Sequence, residues 1–293
     1  MNRWMEKMII GFSWLCGLGL LMAIVGIVGY LLNRGVGAVS LKLIFGDTDP
    51  LAALLLHKPV FAGLFPAIVG TCAVIVLSVS LAIPVGMASG IYMAEYARGG
   101  VKKALGLLFD ILASVPSIVI GLFGFSLAVF LHRHFSANIT PSLIISSLSL
   151  AMLVLPYIIR STQVALENLP AETKRIAVAL GATNLQNIVY VLIPKALPGI
   201  ISGVILAIGR CAEDTAVIML TGVVASAGIP KSIFSQYEAL PFYIYYVSSQ
   251  YANPQELMSG YGASLILLMI CALLFFFAIL IQKGVTYQAL YRA

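Results

Sequence analysis

Residues 8–33 form an unbroken run of 26 residues without a charged side chain. A helix needs about 20 apolar residues to cross a bilayer. The apolar region of a cleaved signal peptide is shorter, at roughly 7–15 residues. Although Arg3 and Lys7 precede the run, as basic residues do in a signal peptide, its length predicts a retained first transmembrane helix.

Five further apolar runs follow, at 67–92, 105–131, 141–159, 197–222 and 259–282. In the whole chain of 293 residues, 61% are hydrophobic and 10% are charged, whereas a soluble domain has roughly 25% charged residues. A soluble protein with so few charges could not cover its surface with polar groups. The sequence therefore predicts an all-α, polytopic membrane protein of about six transmembrane helices solvated by membrane lipid.

Basic residues at the ends of these runs are divided unevenly between the two sides of the predicted bundle. Loops rich in Lys and Arg stay in the cytoplasm, so the richer side, with eleven residues against five, is predicted to be cytoplasmic and to hold both termini. The eleven are Arg3, Lys7, Arg98, Lys102, Lys103, Arg160, Lys174, Arg175, Lys195, Lys283 and Arg292, and the five are Arg34, Lys42, Lys58, Arg133 and Lys231. The net charge of +6 reflects this topology, and we expect no nucleic-acid partner.

Residues 176–194 are also uncharged and long enough for a seventh span. Their middle contains Gly181 and three side-chain amides, and basic residues flank them on both sides. A seventh span would also move the basic C-terminal residues to the outer side. We therefore expect two short cytoplasmic helices with a turn at Gly181.

Motifs of the common enzyme classes are missing from the sequence. It contains no GxxxxGK[ST], HExxH or GxSxG pattern, and its four cysteines lie singly in apolar stretches. The sequence therefore predicts no catalytic residue, cofactor or metal site. If the protein moves a solute uphill, the energy must come from a partner or an ion gradient.

The fifth predicted span is unusual because three charged residues interrupt it near its outer end. At about 100° per residue, one helix face would carry Gly203, Ala207, Arg210, Asp214 and Thr221, with Glu213 close to Arg210. A charge near the bilayer centre costs about 2.5–3.5 kcal/mol, so this face should line a bundle interior or a water-filled path. An arginine–acid pair that only holds helices together is one interpretation. We favour a translocation-path site, in which Arg210 accepts a tetrahedral oxyanion through paired hydrogen bonds.

Two connections also suggest contacts with other proteins. The cytoplasmic connection 167–194 places charges on two short predicted helices, which suits a plug for another protein's groove, although a solvated loop is the alternative. The outer connection 223–258 is rich in aromatic residues: Tyr237, Phe242, Tyr243, Tyr245, Tyr246 and Tyr251. We interpret these as an interfacial aromatic belt, with a docking surface for a soluble partner as the alternative.

The cytoplasmic connection resembles the coupling loop of ABC importer permeases. Their pattern is EAA, three residues, Gly, nine residues and I-x-L-P. Ala177, Gly181 and Pro194 match it, whereas Arg175 occupies the position of the usual glutamate. The resemblance implies that this loop docks on an ATPase subunit. The residues assigned to this role are Glu167, Glu172, Arg175, Ala177, Gly181 and Pro194.

Three further segments, 114–124, 155–162 and 196–210, resemble the PstA-type subunit of phosphate importers, and together the similar stretches span about 60–225. That family usually continues with Ala-x-Gly-Glu-Thr-Ala after the arginine equivalent to Arg210. Here Glu213 replaces the glycine and Asp214 replaces the glutamate. The residues assigned to the substrate path are Arg210, Glu213, Asp214, Thr215, Thr221 and Ser117.

The resemblance implies a permease that imports inorganic phosphate through a bacterial or archaeal plasma membrane. Its expected partners are a second, PstC-like permease subunit, a cytoplasmic dimer of ATP-binding subunits and an extracytoplasmic phosphate-binding protein. Residues 1–58 would form the first helix and an outer loop, and 59–293 the permease domain. Two alternatives stay open at this point: a permease for another oxyanion, such as molybdate, sulfate or a phosphonate, and a signalling or scaffold subunit without transport activity.

Overall fold

The computed structural model describes residues 3–46, 48, 63–135 and 140–291, with side chains described from 4 to 284 within those ranges. These residues form twelve α-helices and two π-helical turns, at Tyr92–Tyr96 and Ile188–Leu192. The helices are α1 Arg3–Gly35, α2 Leu41–Phe45, α3 Phe65–Ile91, α4 Gly99–Ser114, α5 Ser117–His134, α6 Leu143–Glu167, α7 Ala171–Ala179, α8 Asn184–Asn187, α9 Ile193–Glu213, α10 Thr215–Thr221, α11 Leu240–Gln250 and α12 Pro254–Tyr291. The predicted all-α class is confirmed.

Six helical segments of the described chain are long and apolar enough to cross a membrane. They are Trp4–Gly35, Phe65–Tyr96, Ser117–His134, Leu143–Glu167, Asn184–Glu213 and Pro254–Gly284. The prediction of six spans is therefore confirmed, and 176–194 is not a seventh. As predicted, Gly181 forms a turn after α7, with a positive φ of 90° that a residue without Cβ adopts readily.

The second of the two predicted short helices is not a separate element. From Asn184 the chain runs through α8 and the second π-helical turn directly into α9. The prediction ended this short helix at Pro194. Proline is well tolerated in the first turn of a helix, so Pro194 does not mark a boundary between helices here. The connection that leads to α9 is therefore a rigid extension of that span.

The third predicted span, 105–131, is interrupted. Val115 has an extended backbone, with φ −65° and ψ 127°, and Pro116 begins the next helix. Proline lacks the N–H that would continue α4, and it disfavours helical backbone at the residue before it. The traversal is thus built from two helices, α4 and α5, which meet at Val115–Pro116.

Helix α6 is the centre of the bundle, and its Leu150, Val154 and Ile158 are completely buried. Helices α3, α4, α5 and α9 all pack against it. Glycines allow the closest approaches: an added Cβ would lie 2.7 Å from Ile158 at Gly86 and 1.8 Å from the Ser161 hydroxyl at Gly203. Small residues therefore set the spacing of the helices around α6.

The bundle has two ends, which we call the α11 end and the α7 end after the helices found there. At the α11 end, the Leu240 amide donates to the Thr71 hydroxyl at 2.9 Å, which attaches α11 to α3. At the α7 end, α7 and α8 contact the second π-helical turn. α1 meets the bundle near its C-terminal end, where Gly35 is buried against Leu265. The predicted boundary at 58/59 falls outside the described residues and stays a prediction.

Candidate functional site

Arg210 lies on α9, and its Nη1 donates a 2.7 Å hydrogen bond to the Glu213 Oε1. The same guanidinium lies over the ring of Tyr157 on α6, 5.5 Å from the ring centroid, in a cation–π arrangement. The two side chains of the ion pair are 49% and 62% exposed in the single chain. Since both partners belong to the same helix, the ion pair does not hold two helices together. The exposure of both side chains is what a ligand-binding site requires.

A groove of about 680 Å³ opens beside this pair. α9 contributes most of its lining, and Phe275 of α12 completes it. The lining residues are Ser202, Ile205, Leu206, Gly209, Arg210, Glu213 and Phe275. Charged groups at this depth must face water or another protein surface, because the lipid interior disfavours them strongly. The groove is thus a largely apolar, open surface that carries one charged pair, Arg210 and Glu213.

The helix carrying Arg210 ends at Asp214, contrary to the prediction of one continuous span to 222. Asp214 adopts an extended conformation, with φ −78° and ψ 106°, and its Oδ1 accepts the Val217 amide hydrogen at 2.8 Å. An aspartate that caps a helix in this way starts a new helix, which is α10. The helical phase calculated from α9 therefore does not extend to Thr221.

Thr221 is completely buried. Its hydroxyl donates to the Val217 carbonyl at 2.7 Å and lies 2.9 Å from the Ser146 hydroxyl, within hydrogen-bonding distance. The structure therefore does not bring Thr221 into the groove with Arg210. Its assignment to the path rested on an unbroken helix, and the cap at Asp214 removes that basis.

Ser117 and Thr215 are the first residues of α5 and α10, and both are half-buried. The two helices pack against each other, with Gly121 facing Val217 and Gly124 facing Thr221. This order of contacts means that α5 and α10 run parallel. The structure therefore places Ser117 and Thr215 at the same level of the bundle, where both spans are broken.

At the α7 end, the predicted coupling loop is fastened to the bundle by a second ion pair. Lys174 Nζ lies 2.9 Å from Glu95 Oε1 in the first π-helical turn, and these side chains are only 24% and 20% exposed. Asn187 donates from Nδ2 to the Lys174 carbonyl at 2.8 Å. The loop is thus connected to the first π-helical turn, which follows α3, and to the last residue of α8.

Three of the residues predicted for docking, Glu172, Arg175 and Gly181, lie on the exposed side of this loop, while Ala177 and Pro194 are half-buried. Large apolar side chains are also exposed on this loop, and sequence reasoning missed them. One of them is Leu180, which is 83% exposed. The others are Ile176, Val178, Leu185 and Tyr190. Exposed apolar side chains in such number are typical of a surface that binds another protein or lipid.

Glu167 is bound by side chains of α4 and α6. Its Oε1 accepts a 2.7 Å hydrogen bond from Lys102 Nζ on α4 and a 3.0 Å hydrogen bond from Gln163 Nε2. This carboxylate therefore connects α4 with α6, and it also lies close enough to Lys174 of the loop to interact with its charge.

Sequence reasoning also missed the ion pair between Arg160 and Asp110. Arg160 was predicted to lie in a cytoplasmic connection, but α6 continues past it to Glu167. Its Nη2 donates to Asp110 Oδ1 at 2.5 Å and to the Gly106 carbonyl at 3.3 Å, while Nη1 donates to the Gln163 Oε1 at 3.1 Å. A single carboxylate inside an apolar run, such as Asp110, was the available signal.

The aromatic outer connection divides into a buried part and an exposed part. Tyr237 is completely buried, so it belongs to the core and not to the predicted aromatic belt. Tyr245 and Tyr246 on α11 are exposed, as a belt or docking surface requires. Beside them, Glu238 accepts the Gly228 amide hydrogen at 2.8 Å, and burial raises the pKa of this carboxyl.

Within the described residues, no group of three His, Cys, Asp or Glu side chains is close enough to hold a metal ion. The four cysteines are free thiols, of which Cys211 is buried between helices and Cys16 is exposed on α1. The chemistry available at the site is therefore that of charged hydrogen bonds.

Comparison with known proteins adds three findings. The family model described as "Binding-protein-dependent transport system inner membrane component" matches residues 86–287. The chain is 29% identical to the probable ABC transporter permease protein YqgI of Bacillus subtilis, over 92% of each chain. It is 30% identical to the phosphate transport system permease protein PstA of Haemophilus influenzae, over 92% of this chain and 88% of that protein.

Solved structures show the same fold. A chain of a bacterial ABC transporter involved in the import of the acidic polysaccharide alginate superimposes with a TM-score of 0.63 at 15% sequence identity. The match covers 97% of this chain and 100% of that chain. The fold is thus shared over nearly the entire length of both chains.

Proposed function

The chain belongs to the family of binding-protein-dependent transport system inner membrane components, and from that premise we propose that it is the PstA-like permease subunit of an ATP-driven phosphate importer. It is a multi-pass membrane protein, and its function is transport. Arg210, exposed in a groove within the membrane-spanning bundle and lying over Tyr157, is the observation that carries the proposal.

Arg210 suits a tetrahedral oxyanion because a guanidinium presents paired N–H donors. Glu213 engages Nη1 and leaves the opposite edge of the guanidinium for the anion. While the path is empty, this carboxylate holds the arginine in place. It also accepts a hydrogen bond from a protonated anion such as hydrogen phosphate, and sulfate has no such proton at neutral pH. Glu213 therefore favours phosphate over sulfate.

The groove supports the proposal of a second permease subunit. Its charged lining is open in the single chain, and lipid would oppose these charges at a cost of about 2.5–3.5 kcal/mol each. A PstC-like partner that covers the groove would turn it into one half of a closed translocation path. In this arrangement the path is lined, at the level of Arg210, by Ser117, Thr215 and Asp214. At this level α4–α5 and α9–α10 are interrupted.

The α7 end is proposed as the cytoplasmic end, with both termini on that side. Its exposed apolar patch, together with Glu172, Arg175 and Gly181, would dock on a separate ATP-binding subunit. Lys174 and Asn187 would transmit the movement of that subunit to α3 and α9. The phosphate-binding protein would deliver its cargo at the α11 end, where Tyr245 and Tyr246 are exposed.

ATP-dependent uptake of radiolabelled phosphate into vesicles that contain the complete complex tests the proposal. Arsenate, sulfate and molybdate serve as competitors. We expect uptake that arsenate blocks and the other two anions leave unchanged. A complex that assembles and hydrolyses ATP but takes up no phosphate would overturn the phosphate assignment, and competition by molybdate would redirect it to another oxyanion.

A further inference from the structure

Three basic side chains follow one another along one side of α6, and each is paired with a carboxylate. Arg210 contacts Glu213 and the ring of Tyr157. Arg160 contacts Asp110. Nearest the α7 end, Lys102 contacts Glu167. Two of the three pairs connect α4 with α6, and they continue in the direction of the α7 end from the groove already described.

Spacing on α6 makes these pairs a continuous row. Arg160 lies one helical turn beyond Tyr157, and Glu167 lies two turns beyond Arg160. At 1.5 Å per residue, the row extends about 15 Å from Tyr157 to Glu167. An arginine side chain is long enough to move its charge by several ångströms. Neighbouring cations of the row can therefore pass an anion from one to the next.

Neither α9 nor α3 covers the side of α6 that carries the row. α9 packs on Ser161 and Ala165, and α3 packs on Ile158 and Thr162. Between the sides covered by α4 and α9, Val164 is exposed. The row therefore lies along an open strip, which we call the α6 strip: Tyr157, Arg160, Val164 and Glu167.

Exposure of the charges separates the α6 strip from a lipid-facing surface. Asp110 is 63% exposed in the single chain, and Arg160, Lys102 and Glu167 are each more than one third exposed. Arg160 and Asp110 lie inside α6 and α4, where contact with lipid would cost energy. These groups must therefore face water or a partner surface, as Arg210 does.

From this geometry we propose that Arg160 and Lys102 are the second and third contacts of the transported oxyanion on its way from Arg210 to the α7 end. This inference rests on the proposed function. At each step the anion replaces a carboxylate on the cation, and the carboxylate takes the cation back when the anion leaves.

A structural role for the pair makes a different prediction. If Arg160 and Asp110 only hold α4 against α6, neutralising either partner should weaken the complex to the same degree. If Arg160 contacts the anion, the two substitutions act in opposite directions. Arg160→Gln removes the cation, whereas Asp110→Asn keeps the cation and removes its competitor.

The experiment uses the complete complex in vesicles and compares phosphate uptake, ATP hydrolysis and complex yield. For Arg160→Gln we expect the maximal rate of uptake to fall at least about tenfold, with ATP hydrolysis and complex yield retained. Arg160→Lys keeps the charge and should recover a substantial part of the rate. Asp110→Asn should keep the wild-type rate or exceed it. Arg34→Gln, which changes an arginine beside Tyr30 at the end of α1, is the matched control.

Equal losses of uptake and complex yield in Arg160→Gln and Asp110→Asn would overturn the inference and assign the pair to helix packing. Wild-type uptake in Arg160→Gln would overturn it as well. Failure of the proposed function is recognised separately, since the wild-type complex would then take up no phosphate. If wild-type uptake is normal but the Arg160 variants do not behave as expected, only the role proposed for the α6 strip is wrong.

Discussion

Two ion pairs of nearly equal length differ in what they connect. Arg210–Glu213 measures 2.7 Å and Lys174–Glu95 measures 2.9 Å. The first lies within one helix and is largely exposed. The second joins residues 79 positions apart in the chain and is mostly covered. Ion-pair length therefore says little here, whereas burial shows which pair can bind a ligand and which pair fastens the structure.

An exposed ion pair contributes about 0–1 kcal/mol to stability, so Arg210 can exchange Glu213 for another anion at little cost. Removing one partner of a covered pair leaves a charge without compensation and costs more. The groove should thus tolerate changes of charge without unfolding, and the coupling region should not.

Arg210→Ala should lower phosphate uptake about 100-fold, because roughly two charge-assisted hydrogen bonds of about 1.5 kcal/mol each are lost. Complex yield and the midpoint of thermal unfolding should stay at the wild-type values. Uptake measured in vesicles together with complex yield checks both expectations. A signalling or scaffold subunit would keep its partner binding and its downstream output in this variant, and unchanged uptake would contradict the role of Arg210.

Gly203→Val should lower stability by about 1–3 kcal/mol, because overpacking a close helix contact is costly. A Cβ at this position would lie 1.8 Å from the Ser161 hydroxyl, so α9 must move away from α6. Thermal unfolding of the purified complex measures the effect. Gly17→Val, at a position without a neighbour within 4 Å, is the control. If both variants unfold alike, packing of α6 on α9 does not position the groove.

Lys174→Met should uncouple ATP hydrolysis from transport, with uptake lowered about tenfold while hydrolysis continues, because about 1.4 kcal/mol of the link between α7 and α3 is lost. The ratio of phosphate imported to ATP hydrolysed measures coupling. The exchanged pair, Glu95→Lys with Lys174→Glu, should restore part of the coupling. No recovery in the exchanged pair would show that the geometry of this contact, and not its charge, matters.

The segment 222–239, which connects α10 with α11, should become less stable as pH rises because of Glu238. Burial raises the pKa of this carboxyl above its ordinary value. Its contribution to stability is therefore complete at acidic pH, below the unfolded pKa, and is lost as pH increases through the folded pKa. Hydrogen exchange of the Gly228 amide, corrected for its intrinsic pH dependence, measures the opening. Glu238→Gln should abolish the dependence, and an unchanged slope in that variant would refute the assignment.

Much of the fold follows from local sequence properties. The six spans and the turn at Gly181 were predicted correctly, because hydropathy and glycine conformational freedom depend on neighbouring residues. The interruption at Val115–Pro116 was also locally encoded, but the apolar run concealed it. Arg210 and Glu213 were identified because charges inside an apolar run are costly wherever the helix packs.

Other features depended on contacts between distant residues. Asp214 ends α9 as the cap of α10, and with that break Thr221 moves into the core beside Ser146. Tyr237 lies in an aromatic stretch but is buried. Nothing in the neighbourhood of Asp110 indicates Arg160 as its partner, 50 residues away.

The sequence by itself determined the class of the protein, the number of its spans and the presence of a charged site in the fifth span. Which charges meet and which lie exposed follows from the packing of the helices. The physical reason is that hydropathy is a sum over consecutive residues, whereas an ion pair between helices depends on how each helix is rotated about its axis. That rotation is set by packing, through close contacts such as that between Gly203 and Ser161.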